Sequence, residues 1–192
     1  MVVRDRRLHG GVPARHGLVI QNMDASTPMR ILFNHVAHAS QGGKIHTLFV
    51  LCHGYAGIDR RLRVSMDAGG MGLQLGKEGV TQQNVNAWTA IKNRVSNIVV
   101  YACAAADTQP GNEYTAADGR YLMGALALCT NADVYAADKI QWYHMYHGLR
   151  RGAFNFATWE GQLLRFSHDT GAGTPVPSVP VELTDVLNGL PS

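Results

Sequence analysis

The stretch Ile45-His46-Thr47-Leu48-Phe49-Val50-Leu51-Cys52-His53-Gly54 decides the fold. Its first eight residues are largely apolar without a polar alternation, as expected of a strand buried on both faces of a parallel sheet. The run stops abruptly at His53-Gly54. A second such run, Ile98 to Tyr101, stops at Ala102-Cys103, and a third, Asp133 to Ala137, stops at Asp138-Lys139. Helical periodicity separates them. Ile31, Leu32, Val36 and Ala39 recur near 3.6 spacing behind Ser26, Thr27 and Pro28, where Ser26 or Thr27 can cap. Val85, Trp88, Ile91 and Val95 form a helix after Thr81, and Gly119 to Cys129 an apolar one. Strands alternating with helices predict right-handed βαβ units and an α/β fold with a mainly parallel sheet flanked by helices.

Outward from this centre the pattern weakens. Leu18 to Asn22 is a short β-type run, and Gly72-Leu73-Gln74-Leu75-Gly76 alternates like a brief strand. Phe154 to Phe156 and Leu163 to Phe166 flank Trp159-Glu160-Gly161, which predicts a C-terminal β-hairpin or small lid. The chain thus divides into a flexible basic arm (1–16), one α/β domain (17–170) and a Pro-rich extended tail (171–192) with a helical turn around Val186.

The 192 residues suit one domain with a substantial core. The net charge of +3 sits wholly in residues 1–16, where Arg4, Arg6, Arg7 and Arg15 face Asp5. The rest of the chain is balanced and offers no nucleic-acid groove. No apolar run reaches the roughly 18 residues of a membrane span, and none follows the N-terminal arginines as in a secretory signal. The expectation is a cytoplasmic protein without membrane attachment, export without a signal being compatible with it. Cys52, Cys103 and Cys129 form neither a disulfide framework nor a C-x-x-C zinc site. His35-x-x-His38 and His144-x-x-His147 have metal-compatible spacing but no adjacent carboxylate, and are read as surface or packing histidines. Trp88, Trp142 and Trp159 are read as core or lid anchors, and Arg60, Arg61 and Arg63 as solvated charges. No metal or organic cofactor is expected.

In open parallel sheets ligands bind at the carboxyl ends of the strands. His53-Gly54 and Ala102-Cys103 both fall there, on strands expected to be neighbours. A thiol attacks as its thiolate, which a nearby histidine can favour while shuttling the proton. Cys103 is therefore assigned as nucleophile and His53 as proton donor to the leaving group. The backbone N–H groups of Gly54 and Cys103 are assigned as the oxyanion hole.

An apolar strand ending in His-Gly, followed about 50 residues later by one ending in Ala-Cys, resembles the caspase–gingipain–legumain–separase peptidases. Tyr101-Ala102-Cys103-Ala104-Ala105 departs from the caspase signature Gln-Ala-Cys-x-Gly. The chain is more similar to bacterial CHAT domains and to an uncharacterised domain of large adhesin-like proteins, through His53-Gly54, Leu73-Gln74-Leu75-Gly76, Val99 to Cys103, and Asn131 to Ala137. The likeness covers roughly residues 45–140. It implies a caspase-like sheet, a cysteine endopeptidase acting on a protein or peptide substrate, and Asp138 and Tyr101 as substrate-binding residues at the rim. A carboxylate at 138 would select Arg or Lys. Nothing in the sequence fixes the oligomeric state.

Two other readings stand beside the peptidase. An α/β-hydrolase would use Cys103, Asp138 and His168 in nucleophile–acid–histidine order, although Gly-x-Ser-x-Gly is missing. A caspase-like binding or scaffold domain would carry the His53–Cys103 pair as a vestige.

Overall fold

A computed structural model describes residues 1–55, 69–141, 144–145, 154–155 and 158–188. Arg60, Arg61, Arg63, Trp142 and His147 lie outside them, as do residues 156 and 157 of the expected lid. The main sheet has seven strands: β1 (Val2–Asp5), β2 (Ile20–Met23), β3 (Ile45–Leu51), β6 (Val95–Tyr101), β7 (Asp133–Ala137), β10 (Leu163–Phe166) and β11 (Gly173–Pro175). Their order is β11-β10-β7-β6-β3-β1-β2. The five strands from β2 to β7 are parallel, while β10 runs antiparallel to β7 and to β11. Two short ribbons, β4 (His53–Gly54) with β5 (Leu73–Gln74) and β8 (His144–Met145) with β9 (Phe154–Asn155), stand apart.

The unbroken apolar runs have a direct cause. Side chains alternate across a strand, and here both sides are covered. Leu48, Val50, Ile98, Val100 and Val134 enter one core, and Phe49, Leu51, Val99, Tyr101 and Tyr135 another. The first core is closed by helix α1 (Met29–Ala39), a 3₁₀ turn over Val85–Ile91 and helix α2 (Gly119–Thr130). The second is closed by Leu8 from the β1–β2 connection and by Val179, Leu183 and Leu187 from the C-terminal segment. That segment ends in helix α3 (Leu183–Asn188), which realises the turn expected around Val186.

Several expectations are corrected. Residues 1–16 are no flexible arm: Val2 and Val3 are fully buried, one in each core, and β1 lies between β3 and β2. Two apolar residues are enough in a strand this short, and three of the arginines that mimicked a tail bond internally, Arg4 to the Leu8 carbonyl, Arg7 to Asp5 and Arg15 to the Leu187 carbonyl. The segment from Thr81 to Val95 forms only the 3₁₀ turn, because Asn84 binds the Thr81 N–H at its start and Asn93 turns left-handed (φ 64°) at its end. Leu163–Phe166 does not pair with Phe154–Asn155. It has both faces buried, Leu164 and Phe166 in the first core and Leu163 in the second, so it extends the main sheet instead. Residues 171–188 are likewise not simply an extended tail, since Val179, Leu183 and Leu187 pack into the second core. At the start of α1 neither Ser26 nor Thr27 caps; Asp24 accepts from both, and the Met29 N–H donates to Glu78 (2.9 Å). Asp118 caps α2 through the Tyr121 N–H, and Asn131 closes it left-handed. Among the described residues no helix is long and apolar enough to cross a membrane.

If β1 is a central strand, Val3→Ala removes two buried methyl groups and costs about 2 kcal/mol. Urea unfolding should show that loss; an unchanged midpoint would mean the segment contributes nothing to the core.

Candidate active site

Strand order reverses between β1 and β3. The β1–β2 connection crosses the second face, whereas the links joining β2, β3, β6 and β7 carry their helical elements on the first. Such a switch point opens a crevice at the carboxyl ends of the strands. Arg7 stands beyond the end of β1 and His53 beyond the end of β3, and they meet there: His53 Nε2 donates to the Arg7 carbonyl (3.2 Å). A carbonyl can only accept, so Nε2 carries the hydrogen and neutral His53 keeps its lone pair on Nδ1.

Cys103 reaches the same rim from the next strand. β3 and β6 pair in parallel with Leu51 opposite Tyr101, and the Cys52 N–H donates to the Tyr101 carbonyl (3.3 Å). Two residues further along each strand are His53 and Cys103. Gly54 sits directly against the Cys103 peptide, and any side chain there would overlap the Cys103 carbonyl oxygen. The two assigned oxyanion donors therefore belong to touching pieces of backbone. In the β4–β5 ribbon Tyr55 donates to Gly72 (2.8 Å), and His53 faces Gln74. By antiparallel alternation the Gly54 N–H is turned away from β5. Leu73, opposite it, exchanges its bonds with Val80. Among the described residues nothing accepts the Cys103 N–H.

The turn after Cys103 is bolted down. Ala104 is left-handed (φ 48°), its N–H donates to the Lys139 carbonyl (2.8 Å), and the Ala106 N–H donates to Ala137 (3.0 Å). On the other side the Gly70 N–H donates to Ala104 (2.9 Å), and the buried Asp107 carboxylate accepts from the Gly69 N–H (2.9 Å). The Cys103 thiol lies 3.8 Å from the Gln141 carbonyl, a long contact that occupies its S–H in this state. Gln141 is itself held by its side chain, which donates to the Thr158 carbonyl (3.2 Å).

Of the other thiols, burial pushes Cys52 far up from its ordinary range, and desolvation raises Cys129 as well. Neither is a ready thiolate. Cys103 and His53 are both half-buried.

The Tyr101 side chain does not stand at the rim, where the expectation of substrate binding placed it. It is 2% exposed, its ring stacks on Trp159 (4.7 Å between centroids, 19° between planes), and its hydroxyl donates to Glu182 (2.8 Å). Trp159 donates to the same carboxylate (3.1 Å). The strand's alternation turns residue 101 into the second core, away from the rim. Asp138 does stand at the end of β7, beside β6, but its Oδ1 accepts the Gln162 N–H (2.8 Å) and so secures the turn into β10.

The hydrolase triad is not assembled. His168 Nδ1 donates to Asp133 (2.7 Å), at the start of β7, whereas Asp138 follows its end. Five residues of strand separate them, roughly 17 Å. Arg165 completes that cluster on the far rim, its Nε donating to Asp133 (2.8 Å). Among the described residues no group of three His, Cys, Asp or Glu side chains could hold a metal ion. A cavity of about 220 Å³ between α1 and the 3₁₀ turn, lined by Met29, Phe33, Glu78 and Trp88 among others, includes neither His53 nor Cys103.

Sequence reasoning missed Asp5, Arg7 and Gly76. The Asp5 carboxylate is fully buried and accepts from the Arg7 N–H (3.0 Å), Arg7 Nε (2.7 Å), a terminal Arg7 nitrogen (2.6 Å) and the Gly76 N–H (2.8 Å). Burial alone would raise its pKa; the bonds from Arg7 and Gly76 outweigh that and hold it below the ordinary value. Its only trace in the sequence is a carboxylate directly after Val2-Val3-Arg4. No family model, curated protein or solved structure matches the chain, so its function is read from this geometry.

Exposure and thiol environment give an order of reactivity. Brief treatment with iodoacetamide should label Cys103 first, Cys129 next and Cys52 last, as peptide mapping would reveal. Preferential labelling of Cys129 would remove the basis for assigning Cys103 as nucleophile.

Proposed function

We propose that this chain is a cysteine endopeptidase of the caspase–gingipain type, acting through His53 and Cys103 without metal or organic cofactor. The observation that carries the reading is the in-register β3–β6 pair, which brings an imidazole of fixed tautomer and a half-buried thiol to one rim. Nδ1 of His53 takes the Cys103 proton. The thiolate forms a bond to the peptide carbonyl carbon, and the oxygen acquires the negative charge beside the Gly54 and Cys103 N–H groups. Collapse breaks the C–N bond, and His53 returns the proton to the departing amine. Water then attacks the thioester, releasing the acid and restoring the thiol. For this sequence the Cys103 S–H must first turn from the Gln141 carbonyl toward His53 Nδ1, since one proton cannot be directed at both acceptors.

The finer part of the proposal is cleavage after Arg or Lys. With Oδ1 of Asp138 committed to the Gln162 turn, its other oxygen is the group that would meet a cationic side chain. The Gln141 contact supports a second reading, a binding domain whose thiol is permanently parked.

A peptide library varied at the cleaved position separates these readings. His53→Ala and Cys103→Ala should each lower turnover by at least 100-fold, and His168→Ala should leave most of it. Asp138→Asn should lose the preference for basic residues more than total turnover. Loss of activity in His168→Ala alone would contradict the peptidase reading. Cleavage after Asp or Glu would overturn the role of Asp138, and absence of any cleavage would favour the binding domain.

A further inference from the structure

We propose that Asp5 is a positioning residue for His53, acting through Arg7 on one side and Gly76 on the other. The inference rests on reading His53 as the proton shuttle and deepens that reading. Nε2 of His53 donates to a main-chain carbonyl, so the ring's tautomer and direction are only as well defined as the peptide that carries the carbonyl. That peptide belongs to a short turn in which the Leu8 N–H donates to the Asp5 carbonyl (3.1 Å). Asp5 Oδ1 takes both the Arg7 N–H and Arg7 Nε, fixing the backbone and side chain of the same residue. The Arg7 carbonyl is then left pointing at the imidazole.

The second carboxylate oxygen works on the opposite flank. Oδ2 accepts from the Gly76 N–H, and Arg7 donates back to the Gly76 carbonyl (2.8 Å). Gly76 is two residues beyond Gln74, the strand partner of His53. One fully buried carboxylate thus ties together the acceptor of the imidazole and the ribbon that carries its backbone. A buried ion pair is a weak device for stability, since desolvation offsets much of its attraction. It is an effective device for direction, because a bidentate carboxylate–guanidinium pair has one geometry. The pair's location at the strand-order reversal places that directionality where a bound substrate would meet the sheet.

Long-range proton–nitrogen NMR of ¹⁵N-histidine-labelled protein tests this, with His53→Gln identifying the His53 signals. Wild type should give neutral His53 as a single Nε2–H tautomer. Asp5→Asn sets an amide donor against the donors of Arg7 or Gly76 and should give mixed tautomers. Cys103 alkylation near neutral pH should slow by on the order of tenfold, with its pH profile approaching that of His53→Gln. If Asp5→Asn does not fold, Arg7→Lys, which keeps the charge and the carbonyl but loses the fork, should shift both readouts the same way. An unchanged tautomer and alkylation profile in a folded variant, even with a lowered Tm, would overturn the proposal. Should His53→Gln alkylate like wild type while Asp5→Asn still mixes the tautomers, the positioning role stands and the catalytic reading of His53 fails.

Discussion

The pairing of β3 with β6 is the constraint on which everything at the rim depends. Because Leu51 faces Tyr101, chain connectivity carries His53 and Cys103 past the sheet side by side. The close packing of Gly54 on the Cys103 peptide follows from the same register. Slipping that register by one residue would exchange the faces of Leu48 and Phe49, each buried in a different core. Hydrophobic burial on both faces therefore protects the alignment of two polar residues that lie outside either core.

The two cores serve the rim differently. The first is made by secondary structure that a βαβ chain supplies automatically. The second depends on the C-terminal segment returning across the sheet, and a polar clamp holds it there. Glu182 accepts from both Tyr101 and Trp159, while the Tyr101 hydroxyl also accepts the Leu183 N–H (3.3 Å). Tyr101 is two residues before Cys103, so this clamp fixes the strand immediately upstream of the thiol. Lys139 and Ala137 fix the turn immediately downstream.

What could be read from sequence was what periodicity encodes. The buried runs of β3, β6 and β7, helices α1 and α2, and the rim positions of His53 and Cys103 were all legible, since each follows from alternation or 3.6-residue spacing within one segment. The N-terminal strand was not. Val2-Val3 is too short to register as a run, and Arg4, Arg6, Arg7 and Arg15 outweighed it in the local charge. What reverses that reading is the long-range partner Gly76, which no local pattern contains. Tyr101 failed for another reason: proximity to Cys103 in sequence says nothing about face, and alternation sends it into the second core. Leu163–Phe166 was recognised as a strand but given the wrong neighbour, because its antiparallel partner β7 lies far upstream.

The thioester intermediate is the point at which the account commits itself most. A peptide substrate mixed with the chain, quenched in acid within the first turnover and analysed by intact and tandem mass spectrometry, reads it directly. The account predicts a mass increase equal to the acyl half of the peptide, located on Cys103 and absent from Cys103→Ala. Peptide cleavage that proceeds in Cys103→Ala, or an acyl group found on any other side chain, would contradict it.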